Sequence, residues 1–280
     1  MSSKQPIVVG VDQSASSKVA LEWAARRAEA LQLPLVLMHV IDELAGPTDL
    51  HNERQKSIAL LENDADRVRE FAPLTEVQVH ITQGDPAGKL VEASHDAEML
   101  VVGTDRAADI HGEGFGAVNS QLTVLALCPL AIIPQHTPSE ATRIVVGIDG
   151  SPNSLVAAHF AAGEALRGGG ELTMIYAAST STGLVGSSSD ESDAQTAGQD
   201  VIDSTITELQ ARFGVALNVQ GHVIFGEDPA QALKDSARHA TLLVVGSRGG
   251  DVVHHLRHGL TTHSLLQGLV CPLVLTRPAN

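Results

Sequence analysis

The feature that most constrains this 280-residue chain is that it is written twice. IVVGVDQSASS, Ile7 to Ser17, aligns with IVVGIDGSPNS, Ile144 to Ser154, at an offset of 137 (144 less 7). GDPAGKL, Gly84 to Leu90, aligns with EDPAQAL, Glu227 to Leu233, at an offset of 143 (227 less 84). Gly103 with Gly246, Gly116 with Gly259 and Cys128 with Cys271 keep that second offset. One duplication followed by one length change accounts for all of these matches, so the fold must be one unit used twice. The expected division is 1–136 for the first domain, 137–142 for a linker within the polar stretch QHTPSEATR, and 143–280 for the second domain.

Each copy alternates short apolar runs with helical patterns. In the first, Ile7–Val11, Leu35–Val40, Val77–Ile81, Met99–Val102 and Leu130–Ile133 read as strands. In the second, the strands are Ile144–Ile148, Leu172–Ile175, Leu217–Ile224, Leu242–Val245 and Leu273–Leu275. Ser14 to Ser17 offers N-caps to a helix carrying Ala20, Leu21, Ala24, Ala25 and Ala28 on one face. Asp85-Pro86-Ala87 starts another helix, with proline in its first turn. Strands that are continuous apolar runs belong in parallel sheets covered on both faces. Aromatic residues are only 2% of the chain, which suits a core of Val, Leu, Ile and Ala. The serine-rich stretch Ser179–Ala194 reads as a mobile surface loop, a flap beside the second site.

The totals restrict the partners. A net charge of −15 argues against binding nucleic acid or an anionic membrane surface. No apolar run approaches the ~20 residues of a membrane span, and the N-terminus lacks a signal-peptide pattern. A cytoplasmic location is expected, with Cys128 and Cys271 as buried small hydrophobes.

Ligands of doubly wound sheets bind beyond the carboxyl ends of the strands, where the strand order reverses. Asp12 with Gly103, and Asp149 with Gly246, should converge there. The carboxylates suit a ribose or base edge, or a helix cap. Gly246, Gly249, Gly250 and Gly259 suit an anion-binding loop, or an ordinary strand-to-helix connection. His254, His255, His258 and His263 cluster nearby without metal-site spacing; they read as loop histidines, or as a pH-sensitive contact to phosphate.

Taken together, V-G-V-D-Q-S and V-G-I-D-G-S, D-P-A, V-V-G and C-P-L make the chain resemble a tandem universal stress protein over essentially its whole length. The resemblance implies two flavodoxin-like (adenine nucleotide α-hydrolase-like) α/β domains, each a five-stranded parallel sheet of order 3-2-1-4-5. It also implies pairing of the domains through their fifth strands as an intramolecular pseudo-dimer, and leaves room for a homodimer. ATP-binding members carry a glycine, two residues, a glycine, nine residues, then glycine and Ser or Thr. The second copy has Gly246, Gly249 and Gly259, with Leu260 at the hydroxyl position and Thr261 and Thr262 after it. The first has Gly103 and Gly116, with Arg106 for the middle glycine and Ala117 for the hydroxyl.

By this resemblance, Asp149 and Ala177 would meet adenosine, with Gly147 behind them. Gly246, Ser247, Arg248, Gly249 and Gly250, and then Gly259 to Thr262, would hold the phosphates. In the first copy the same roles fall to Gly10, Asp12 and Val40, to Gly103, Thr104 and Arg106, and to Gly116, Ala117 and Val118. The ligand implied is ATP, with Mg2+. The function implied is stress-response regulation through nucleotide-linked changes in conformation or in an unknown protein partner. The alternative is a nucleotide-free scaffold or chaperone-like stress protein. No general base is aimed at a γ-phosphate, so slow hydrolysis is the most catalysis expected. Of the two copies, the second should bind ATP more tightly.

Overall fold

A computed structural model describes residues 4–42, 50–104, 117–135, 142–178, 188–214, 216–226, 228–247 and 262–278. The chain divides into two compact units, Met1–Gln135 and His136–Asn280. The expected linker at 137–142 lies outside the described residues except for Thr142, which precedes the first strand of the second unit.

In the first unit the order is β1 (Ile7–Gly10), α1 (Ala15–Leu31), β2 (Leu35–Ile41), α2 (Leu50–Phe71) and β3 (Val77–Gln83). Then come α3 (Pro86–Ala93), β4 (Met99–Thr104), α4 (Ala117–Leu125) and β5 (Leu130–Pro134). All strand pairs are parallel, in the order β3-β2-β1-β4-β5. The second unit runs β6 (Arg143–Ile148), α5 (Pro152–Gly168), β7 (Glu171–Ala178), α6 (Ser188–Phe213) and β8 (Val219–Phe225). It continues with α7 (Pro229–Ser236), β9 (Leu242–Gly246), a helical segment at 262–266, and β10 (Leu273–Thr276). Its order is β8-β7-β6-β9-β10, again parallel. The expected topology therefore holds in each copy, with the order reversing between β1 and β4 and between β6 and β9.

The reasons are local. Ser14 accepts a hydrogen bond from Ser17 N–H at 3.1 Å, and Ser151 accepts from Ser154 N–H at 3.2 Å, which starts α1 and α5. Asp85 and Asp228 cap α3 and α7 in the same way, each followed by a proline that lacks the N–H it would otherwise leave unpaired. The inward face of α1 is Ala20, Leu21, Ala24, Ala25 and Ala28, and that of α5 is Ala157, Ala158, Ala161, Ala162 and Ala165, all buried. These small side chains let both helices lie close to the sheet. The other face is covered as well: Gly10 on β1 looks at Leu90 of α3, and Gly147 on β6 looks at Leu233 of α7.

The register locates the length change more finely than the sequence did. Leu35 pairs with Val77 and Leu172 with Val219, so the third strands are offset by 142 (219 less 77). Five of the six extra residues precede the third strand. The sixth falls in the turn from β8 to α7, where Gly226 takes a φ of +83°. The serine-rich stretch also needs correction. Ser188–Ala194 begins α6 and is not loop, because serines and acids suit a helix N-terminus as well as a turn. The rest, 179–187, lies outside the described residues. Among the described residues no helix is long and apolar enough to cross a membrane.

Candidate functional site

The site begins where β1 stops. Val9 stands opposite Val101 and Val146 opposite Val244, so the chain leaving β1 emerges beside the end of β4, and likewise for β6 and β9. After Val11 comes Asp12, then Gln13 in the left-handed region at φ 68°, then the N-cap Ser14. The second copy repeats this as Asp149, Gly150 at φ 79° and Ser151. Asp12 Oδ1 accepts Ser14 N–H at 3.0 Å, and Asp149 Oδ1 accepts Ser151 N–H at 3.0 Å. The aspartates therefore shape the turn, and capping falls to the serines two residues later. Burial pushes the Asp12 carboxyl up, but hydrogen bonds from Ser14 and Ser17 outweigh it and hold the group below its ordinary value. Both aspartates remain exposed just past the strand ends where the order reverses.

Main-chain alternation supplies the second part. Ile7 N–H donates to Pro34 C=O and Val11 N–H to Met38 C=O, so even-numbered residues of β2 turn their main-chain groups toward β1. Leu35 N–H donates to Glu76 C=O and Gly84 N–H to Ile41 C=O, so odd-numbered ones turn toward β3. Val40 is even, and β1 has paired its last residue, Gly10, with Met38. The N–H and C=O of Val40 thus face the space beyond the end of β1. In the second unit, Leu172 N–H donates to Asn218 C=O and Gly226 N–H to Ala178 C=O, so the odd-numbered Ala177 turns toward β6. Val40 and Ala177 are half-buried. A donor and acceptor side by side beyond a strand end is the arrangement that reads a planar base edge.

The glycines divide by cause. A Cβ at Gly246 would stand 2.5 Å from Asn153 O and 2.6 Å from its carbonyl carbon. At Gly103 it would stand 2.5 Å from the carbonyl carbon of Ser16. These are main-chain atoms of the first turns of α5 and α1. The first glycine of the motif is therefore required by helix-to-strand packing, whether or not a ligand binds. Gly147 is also a packing position, with Leu233 at 3.1 Å from the missing Cβ, whereas Leu90 at 3.4 Å leaves ordinary contact distance at Gly10. Ser247 is buried, and its hydroxyl donates to Thr276 C=O at 2.7 Å, across to β10. Thr104 is half-buried at the matching place, opposite Pro134.

The loops themselves are not described. Arg106, Gly116, Arg248, Gly249, Gly250, Gly259, Leu260 and Thr261 lie outside the described residues, as do His254, His255 and His258. Ala117 begins α4, Val118 is half-buried in it, and Thr262 opens the 262–266 helix. His263 is exposed and meets Gln267 at 3.0 Å.

Two residues that sequence reasoning missed sit at this end. Asn119 Nδ2 donates to Gly103 C=O at 3.1 Å, tying the start of α4 to the end of β4. Its position matches Thr262 at the offset of 143, which was the only available signal. His39 Nδ1 lies 2.7 Å from Val11 C=O, and a carbonyl only accepts, so the ring nitrogen is the donor. Only its place beside Val40 could have marked it.

The sequence profile of the Universal stress protein family matches residues 4–134 and again 140–277. A universal stress protein of Mycobacterium tuberculosis (strain ATCC 25618 / H37Rv) is 30% identical over 292 residues, covering 97% of this chain and 96% of its own. One from Mycolicibacterium smegmatis is 29% identical over 290 residues, covering 97% of both. The crystal structure of a universal stress protein from Archaeoglobus fulgidus DSM 4304 superposes over 100% of both chains, with a TM-score of 0.78 and 19% identity, which shows the shared fold.

Proposed function

This chain belongs to the universal stress protein family, with two copies of the family domain, and we propose that it is a stress-response regulator that binds an adenine nucleotide, ATP foremost. The observation that carries the proposal is what the strand ends present at the reversal of strand order. There Val40 presents a main-chain N–H and C=O past the end of the β1–β2 ladder, and Ala177 its C=O, with an exposed aspartate, Asp12 or Asp149, beside them. A base edge fits the first pair, and ribose hydroxyls fit the carboxylate. Phosphates then extend toward the segment after β4 or β9.

At that end the copies differ by sequence. Gly249 lets N–H groups face an anion, whereas Arg106 restricts φ and adds bulk. The second unit is accordingly the proposed principal site for the triphosphate, carried as its Mg2+ complex in a chain of net charge −15. Binding would act through a change in the loops or in a protein partner.

One observation favours a second reading, a nucleotide-free scaffold. Gly103, Gly147, Gly246 and Ser247 are all accounted for by packing and hydrogen bonding within the fold. A chain without ligand would still need them. Titration calorimetry with MgATP separates the readings. Wild type should show a dominant site that Gly249→Arg and Asp149→Ala both weaken by about tenfold or more, with little change in Asp12→Ala. No heat with wild type supports the scaffold. Tight binding that survives both changes but disappears in Asp12→Ala puts the principal site in the first unit.

A further inference from the structure

The two units end their first-to-second strand ladders differently. In the second unit Ile148 stands opposite Tyr176, and the alternation of a parallel ladder closes that step with a bond from Ala177 N–H to Ile148 C=O. In the first unit the ladder stops one step earlier, with Gly10 opposite Met38. The corresponding acceptor, Val11 C=O, takes the Nδ1–H of His39 at 2.7 Å. His39 and Tyr176 occupy the same place, at the offset of 137. Tyr176 cannot do the same: its ring lies over Gly198 of α6, where an added Cβ would come within 2.7 Å of it.

Resting on the nucleotide-binding reading above, we infer that His39 is a positioning residue. It caps the Val11 carbonyl, leaves Val40 N–H unspent, and so makes the first unit the one that discriminates among purine bases. A buried carbonyl needs a donor. When a side chain supplies it, the main-chain donor that would have done so is left facing the space beyond the strand end. Val40 then offers N–H and C=O together, matching the N1 acceptor and N6 donor of adenine. Hypoxanthine presents an acceptor at O6 and a donor at N1, the reverse order. Ala177 offers its C=O, but its N–H is held by Ile148, so the second unit reads the base less strictly. The units divide the work: triphosphate affinity in the second, base identity in the first.

The experiment is site-resolved nuclear magnetic resonance on the deuterated, 15N-labelled full chain. Hydrogen exchange is first measured without nucleotide at the amides of Val40 and Ala177. Val40 should exchange at least ~100-fold faster than Val36, within the ladder. His39→Tyr should slow it by about tenfold or more, because Val40 N–H then pairs with Val11. His39→Asn, whose Nδ2 can take the place of the ring donor, should keep the wild-type rate. Tyr176→His should speed exchange at Ala177, an independent reading if His39→Tyr does not fold. AMP and IMP are then titrated and followed at the same two amides. AMP should be preferred by roughly tenfold or more at Val40, with a preference that His39→Tyr erases and His39→Asn retains, and a weaker preference at Ala177. A Val40 amide as protected as Val36, or one indifferent to His39→Tyr, overturns the inference. So does an equal affinity for AMP and IMP at Val40. Exchange as expected with neither nucleotide bound overturns the base-reading role and leaves His39 as a ladder cap alone, while the MgATP titration above decides the proposed function separately.

Discussion

Gly246→Ala separates a glycine kept for packing from one kept for ligand access. The new Cβ would stand 2.5 Å from Asn153 O, 2.6 Å from its carbonyl carbon and 3.0 Å from Ser154 N. Ordinary contacts between carbon atoms lie at about 3.5–4.0 Å, and these neighbours are helix main chain, which cannot rotate aside. The start of α5 must withdraw from β9 by about 1 Å, and overpacking of this kind costs ~1–3 kcal/mol. Against that, Gly246 is absent from the positive-φ glycines, so alanine gains ~0.4–1 kcal/mol by restricting the unfolded chain. The net loss is about 1.3 kcal/mol at the centre of these ranges and at most about 2.6 kcal/mol. At roughly 3–4 °C per kcal/mol for a unit of this size, the transition of the second unit should fall by about 4–5 °C and by no more than ~10 °C. The assay is scanning calorimetry without nucleotide, with Gly10→Ala as the control. There the contacts are side-chain tips at 3.4 Å, and the shift should stay within about 0.5 kcal/mol. A Gly246→Ala protein that melts at or above wild type without nucleotide, yet no longer binds it, refutes the packing argument.

Other outcomes follow from single interactions. Ser247→Ala removes the hydroxyl bond to Thr276 C=O, while Ser247 N–H still donates to the same oxygen at 3.1 Å; stability should fall by about 0.5–1.5 kcal/mol in urea unfolding, with MgATP affinity unchanged. The Asp12 carboxyl is held below 3.8, so its contribution is present above that pH and lost as pH falls through its folded value. The stability difference between wild type and Asp12→Asn should therefore shrink on acidification below about pH 3.8. Burial pushes the Cys271 thiol up to about 12, and Cys128 is buried too; a thiol-specific disulfide reagent at neutral pH should react with either only at the rate of unfolding.

The fold was legible because its signals were redundant. Apolar runs, alternating helical patterns and a repeat at fixed offsets all pointed to the same parallel sheet. The places where reading failed have physical causes. Ser188–Ala194 read as loop because its composition suits a helix N-terminus equally. The single-residue step at Gly226 was invisible because only strand register separates an offset of 142 from 143. At the proposed site, the strand-end positions of Asp12 and Asp149 could be read from sequence, while Val40 and Ala177 came only with the family resemblance. The roles of Gly246, Gly103 and Ser247 could not, since a glycine that admits a helix is written like one that admits a phosphate. His39 carried no signal beyond its place beside Val40, because what matters about it is a hydrogen bond to Val11, the residue just past the end of a neighbouring strand.

The most direct test of the central claim is to purify the full chain, denature it, and separate the released small molecules by chromatography, with equilibrium dialysis against labelled ATP on protein first stripped of nucleotide. Released adenine nucleotide, or saturable ATP binding that Asp149→Ala and Gly249→Arg reduce, is the predicted result. A protein that releases nothing, and takes up no ATP at concentrations of about 1 mM, contradicts it.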